Sequence, residues 1–107
     1  MVETSQGKFS LLLDAGTTDV DEVIESLGHE PNGYFWEGVA QLLVDTEAPS
    51  LKQRFEYDSE GGMFVAYGSD RPALDELAAL VAAVTADAGR LRQIVALAEE
   101  RNFEFDD

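Results

Sequence analysis

The side chains that most often perform chemistry are nearly missing from this chain, which has one histidine, His29, and no cysteine. Serine and threonine hydroxyls become nucleophiles only when a neighbouring base takes their proton, and His29 is the one imidazole available for that task. It sits in His29-Glu30-Pro31-Asn32-Gly33, a turn by composition, where an exposed histidine with no catalytic duty is expected. Carboxylates are the other candidates. Asp19-Val20-Asp21-Glu22 and Asp58-Ser59-Glu60 bring acids close together, as an oxygen-ligated cation needs. Neither has the regular spacing, central glycine and distant glutamate of a calcium loop. Asp19 and Glu22 have a structural use as a helix-capping pair, and Asp58 and Glu60 fall at a turn. A zinc site lacks thiolate and imidazole ligands. Glycoside hydrolysis needs two acids facing each other across a cleft, whereas these are spread over exposed helix faces. Gly61-Gly62 precedes a strand and carries no lysine, unlike a phosphate-cradling loop. No catalytic, metal-ligating or cofactor-binding residue is assigned, no cofactor is expected, and the chain reads as non-enzymatic.

What the chain does have is negative charge. Twenty-two Asp and Glu face seven Lys and Arg, a net charge of −15 over 107 residues. Between Phe9 and Leu51 there is no Lys or Arg, while that stretch holds nine carboxylates: Asp14, Asp19, Asp21, Glu22, Glu25, Glu30, Glu37, Asp45 and Glu47. Such a surface repels nucleic acid and anionic membrane, and neither is expected as a partner. It attracts basic surfaces and speeds encounter with them. Solubility or adaptation to high salt is the alternative use of the same charge. The apolar fraction of 45% argues for a folded chain and against disorder. The length suits one domain, residues 1–107, with a core that needs no disulfide. Met1-Val2-Glu3-Thr4-Ser5 has an acid where a signal peptide is basic. The longest apolar run, Leu77 to Val84, is far short of the ~20 residues that span a bilayer, so a cytoplasmic protein is expected.

The elements that must position these acids are legible from periodicity. Phe9, Leu11 and Leu13 alternate with Ser10 and Asp14 over a strand from Lys8 to Asp14; Leu12 interrupts the polar face, which predicts that this face is covered too. Val20, Val23, Ile24 and Leu27 form one helical stripe, with Asp19 as cap and Gly28 as stop. A second helix runs from about Tyr34 to Thr46 with Trp36, Val39, Ala40 and Leu43 inward, Trp36 being a core anchor. Lys52 to Asp58 and Met63 to Tyr67 form a hairpin around Ser59-Glu60-Gly61-Gly62, whose glycines accept positive φ. A third helix is capped by Ser69 or Asp70 and entered through Pro72. Its alanines, Ala78, Ala79, Ala82, Ala83 and Ala86, make it apolar nearly all round, as in a central core helix or a subunit contact. A fourth helix carries Leu91, Ile94, Val95 and Ala98 inward, and the tail Asn102-Phe103-Glu104-Phe105 alternates as a short docking strand would. The expected class is α+β. A small, mostly antiparallel sheet of three strands, with a fourth at the C-terminus, packs against about four helices in the order β-α-α-β-β-α-α.

The segment Phe55-Glu56-Tyr57-Asp58-Ser59-Glu60-Gly61-Gly62-Met63-Phe64, with the upstream Gly33-Tyr34-Phe35-Trp36 and the following Leu/Ala-rich helix, resembles the immunity protein 51 family from about Phe9 to Val84. The matching positions are Trp36, Phe55, Asp58, Glu60, Met63 and Phe64, which are expected to define the scaffold rather than the contact surface. The resemblance implies a small α+β antitoxin, encoded beside a toxin of a bacterial polymorphic toxin system, that binds and neutralises its cognate toxin, and the negative charge makes a basic toxin the expected one. The candidate partner-binding residues are the acids around the first two helices, Asp21, Glu22, Glu25, Glu30 and Glu37, with Tyr34 and Phe35 as aromatic anchors between them. Charge reversal at Glu25 and Glu37 is expected to weaken toxin binding with little change in melting temperature. The alternative is an acidic structural or regulatory module that self-associates through the alanine-rich helix. Both a monomer and a homodimer are compatible with the sequence.

Overall fold

The computed structural model describes residues 2–105. Four antiparallel strands, β1 (Val2–Ser5), β2 (Lys8–Asp14), β3 (Glu56–Tyr57) and β4 (Met63–Gly68), form one sheet in the order β1-β2-β4-β3. Four helices accompany it: α1 (Asp21–Ser26), α2 (Gly33–Glu47), α3 (Arg71–Thr85) and α4 (Ala88–Glu100). This is the α+β class expected, with one strand relocated. The fourth strand lies at the N-terminus, joined to β2 through Gln6-Gly7 with Gly7 at φ 75°. Its side chains at Val2, Glu3 and Ser5 are exposed, so no buried face marks it in the sequence.

The C-terminal tail docks without forming a strand. Asn102 takes φ 56°, and the Phe103 N–H donates to the Ala98 carbonyl at 2.8 Å. That six-to-one bond after a left-handed residue ends a helix and reverses the chain. The reversal aims Phe103 and Phe105 at α2, where Gly38 leaves room for them. A Cβ on Gly38 would stand 2.4 Å from Cδ1 of Phe105 and 3.2 Å from Cε1 of Phe103. These rings are movable, so Gly38→Ala is expected to cost only about 1–2 kcal/mol. Thermal melting and amide exchange at residues 103–105 check both the cost and the release of the tail.

Helices α2 and α3 pack on one face of the sheet, and α4 packs against both. In β2 and β4 the pairs Leu11–Ala66 and Leu13–Phe64 point to the helices. Trp36, Phe35 and Phe64 are fully buried, each worth roughly 1.5–3 kcal/mol of transfer free energy. Strands β2 and β4 are the two interior ones, and β4 turns Phe64 and Ala66 into the core. The opposite face of the sheet is open, however: Leu12 is 42% exposed and Tyr67 39%. The interruption of the polar face by Leu12 therefore reflects a surface leucine and not a second covering layer.

Local chemistry differs from expectation at three further places. Residue 20 is the N-cap of α1, so Asp19 and Glu22 form no capping box; Thr18 Oγ1 instead donates to Asp21 Oδ1 at 2.7 Å. The first arm of the hairpin shrinks to Glu56–Tyr57, because Pro49–Leu51 winds into a 3-10 turn and Gln53 adopts φ 65°. The positive-φ glycines are Gly7, Gly16 and Gly28, and not the hairpin pair Gly61-Gly62. Elsewhere the stops and caps are as chain chemistry dictates. Gly28 at φ 88° closes α1, with the His29 N–H reaching the Ile24 carbonyl. Asn32, Asp70 and Asp87 cap α2, α3 and α4 through side-chain oxygens. Helix α3 buries Leu74, Leu77, Val81 and Val84 and exposes Ala79, Ala82 and Ala83, with Ala86 exposed just past its end, so it is amphipathic and not central.

Candidate functional site

Two hydrogen bonds tie the segments on either side of α1 to one hairpin. The Ala15 N–H donates to the Gly62 carbonyl at 3.0 Å, and the Gly33 N–H donates to the Gly61 carbonyl at 3.1 Å. The tip of the β3–β4 hairpin thus pins both ends of the excursion from residue 15 to residue 33, which contains α1. The contact at Gly33 is so close that a Cβ there would lie 2.0 Å from the Glu60 carbonyl oxygen and 2.3 Å from that of Met63. The motifs around Gly33 and around Gly61-Gly62, distant in sequence, are therefore the two halves of one joint. Asp14, opposite Met63 in the sheet, and Glu30, Tyr34 and Glu60 all lie within a few residues of that joint.

Glu22, Glu25 and Glu30 are exposed, as a partner-binding surface requires, and Tyr34 is 41% exposed. Asp21 is half-buried and accepts the Thr18 hydroxyl. Phe35 is the exception. It is 0% exposed, with its ring 5.8 Å from Trp36 and 4.7 Å from Phe105, so it belongs to the core and not to a contact surface. His29 is likewise half-buried, its ring 5.5 Å from Phe35 and 5.0 Å from Phe105, and not the exposed residue its turn predicts. Asp14 and Glu60 lie beside this joint as well, although the sequence reading left Asp14 out of the candidate surface and placed Glu60 with the scaffold. Their signal was the absence of Lys and Arg from 55–70 as well as from 9–51.

The sheet also separates charge. Lys8 begins β2 about 20 Å from Asp14 at the rise of an extended strand. Arg71 lies over the Phe9 ring at 5.5 Å, and Arg54 Nε donates to Asp70 at 2.7 Å, both at the Lys8 end. The ion pairs Lys52–Asp45 (3.1 Å), Arg71–Asp75 (3.8 Å), Arg54–Asp70 and Arg90–Glu47 use carboxylates away from the hairpin tip. The backbone N–H of Ala73 and the Arg54 guanidinium hold the Asp70 carboxyl below its ordinary value.

Glu37 stands apart from the tip. With Tyr34, Gln41 and Asp45 it forms the outer stripe of α2, at steps of three and four residues. That stripe leads to a cleft of about 370 Å³ between α2, the turn before β3, and the tail. Val44 and Leu51 are its buried apolar members, Phe55, Tyr57 and Phe103 its half-buried rings, and Gln41, Asp45, Lys52 and Gln53 its polar ones. Burial, then the carboxylates of Glu37 and Asp45, push the Tyr57 hydroxyl well above its ordinary pKa. A folded value above the unfolded value of about 10 favours the fold fully below that pH and progressively less above it. Urea midpoints are therefore expected to fall above about pH 10, and Tyr57→Phe to flatten most of that fall. Among the described residues no group of three or more His, Asp or Glu is placed to hold a metal ion, and no helix is long and apolar enough to cross a membrane.

A small antiparallel sheet backed by helices, with its Gly-Gly hairpin pinned to both ends of the α1 excursion, is the frame of an α+β domain. The chain matches the immunity protein 51 family over residues 2–100 and belongs to that family. The match extends past the Phe9–Val84 region of the resemblance to include β1 and α4. No curated protein sequence and no solved structure matches the chain.

Proposed function

We propose that this protein is a non-catalytic antitoxin of a bacterial polymorphic toxin system, acting in the cytoplasm, and that its acidic end binds and neutralises a basic toxin. The observation that carries the reading is the joint at Gly33. It sets carboxylates from three chain segments around one hairpin tip, with no Lys or Arg in residues 9–51 or 55–70. Toxins that act on nucleic acid need cationic surfaces, and a rigid anionic end imitates the field of their substrate. Membership of an immunity family supports the same role. The first-half surface is then Asp21, Glu22, Glu25, Glu30 and Tyr34, extended by Asp14 and Glu60, with Glu37 on the adjoining stripe.

Co-expression with the toxin domain encoded beside this chain tests the reading. Growth should be rescued and a complex recovered that weakens with added salt. Rescue without a physical complex, or a complex with no dependence on salt, would count against it. The exposed alanines of α3 favour a second reading, self-association through that helix. Light scattering separates the two, a monomer being expected for the first.

A further inference from the structure

We infer that the cleft between α2 and β3 receives an arginine side chain of the bound toxin, stacked on the Phe55, Tyr57 and Phe103 rings with its guanidinium directed to Asp45. This rests on the antitoxin reading and names a contact within it. The cleft, at about 370 Å³, lies at the small end of the ~300–1,000 Å³ range of ligand pockets, a size for one long side chain. Its rings are not parallel plates: Phe55 and Tyr57 meet edge to face at 5.7 Å and 79°, and both are half-buried at the cleft wall. Around these rings stand acceptors. Gln41 and Gln53 carry amide oxygens, and the charges of Glu37 and Asp45 both reach the Tyr57 hydroxyl.

Aromatic faces beside carboxylates select a cation, and the planar, weakly hydrated guanidinium stacks and forks where a lysine ammonium does neither. An apolar occupant would gain nothing from the Asp45 carboxylate or the Gln41 and Gln53 amides that line the cleft. The cleft already contains a weak internal competitor. Lys52 Nζ sits 3.1 Å from Asp45 Oδ1, both side chains about half exposed, so the pair has little to lose by exchange for a better-placed cation. The outer stripe Tyr34–Glu37–Gln41–Asp45 joins the cleft to the acidic end, so one basic surface can meet both.

The test is an NMR titration of the whole protein with acetyl-arginine-amide, and with the lysine and norleucine analogues. Arginine should shift the Gln41 and Gln53 side-chain amides and the Tyr57 and Phe103 rings in a saturable way, and lysine should bind about fivefold more weakly. Norleucine should shift none of them. Asp45→Asn combined with Glu37→Gln should weaken arginine binding about tenfold, and Lys52→Gln should strengthen it. Equal shifts from norleucine, shifts spread over α1 and the hairpin tip in place of the cleft, or indifference to the double variant would each overturn the inference. A toxin complex of unchanged affinity in the double variant would overturn it too, while leaving the antitoxin reading in place. If no toxin binds at all, the antitoxin reading falls, and the arginine titration by itself decides whether the cleft takes a guanidinium.

Discussion

Gly33→Ala is expected to cost at least about 3 kcal/mol, because no conservative adjustment makes room for the added methyl. The obstacles at 2.0 and 2.3 Å are backbone carbonyl oxygens of Glu60 and Met63, which cannot rotate away as a side chain can. Relieving the overlap means pulling the hairpin tip off α2, which breaks the Gly33–Gly61 hydrogen bond and loosens the neighbouring Ala15–Gly62 bond. Helix propensity points the other way, since alanine is a better helix former than glycine by about 1 kcal/mol. A loss of stability therefore identifies the joint and not the helix. For a domain of this size the melting temperature should fall by about 12 °C or more. Gly61→Ala and Gly62→Ala are the controls: a Cβ at either position meets nothing within 4 Å, and neither takes a left-handed φ. Both should stay within about 0.5 kcal/mol of the parent. A Gly33→Ala protein that melts with the parent would show that the close approach does not hold the fold.

The second large effect concerns binding. Glu22→Lys combined with Glu25→Lys should weaken the toxin complex by at least about 2 kcal/mol, or roughly thirtyfold, at low salt. Both side chains are exposed, and α1 is held by Val20 and Ile24 on its other side, so the melting temperature should barely move. The loss should shrink between about 0.01 M and about 0.15 M salt, as the screening length drops from ~30 to ~8 Å. Isothermal titration of parent and variant at both salts reads the effect. Glu37 is a different case from the first-helix acids. It is half-buried and its charge acts on the Tyr57 hydroxyl, so its reversal reports on the cleft as well as on the partner.

Much of the fold was legible because its signals are local. The inward Val20 and Ile24 of α1, the Asp70 cap before Pro72 and the apolar run of β4 each follow from a few adjacent residues, whereas Leu27, read into the same α1 stripe, is 36% exposed. The elements that were missed lack such a signal. Strand β1 exposes its side chains at Val2, Glu3 and Ser5, so it has no alternation to read. The tail alternates Phe103 and Phe105 as a strand would, yet the left-handed Asn102 folds it onto a helix whose Gly38 was the cue. The candidate site was half legible. Charge and exposure could be read for Glu22, Glu25 and Glu30. Phe35, though, lies one residue from Trp36, and adjacency in sequence did not reveal that both rings face inward. That Glu60 shares a surface with Glu30 depends on the pairing of Gly33 with Gly61, a tertiary fact no local pattern contains. The sequence resemblance marked Trp36 and the hairpin positions Asp58, Glu60 and Met63 as scaffold, and the joint fits that: Gly33 and Gly61 hold the two segments together.

The claim that this end is the toxin-binding surface is most directly tested by hydrogen–deuterium exchange of the protein alone and in complex with its toxin. Protection on binding should concentrate in residues 14–34 and 58–63, with a second area along the outer stripe of α2 toward Asp45. Protection confined to the open face of the sheet around Leu12 and Tyr67, or to the alanine face of α3, would contradict the account.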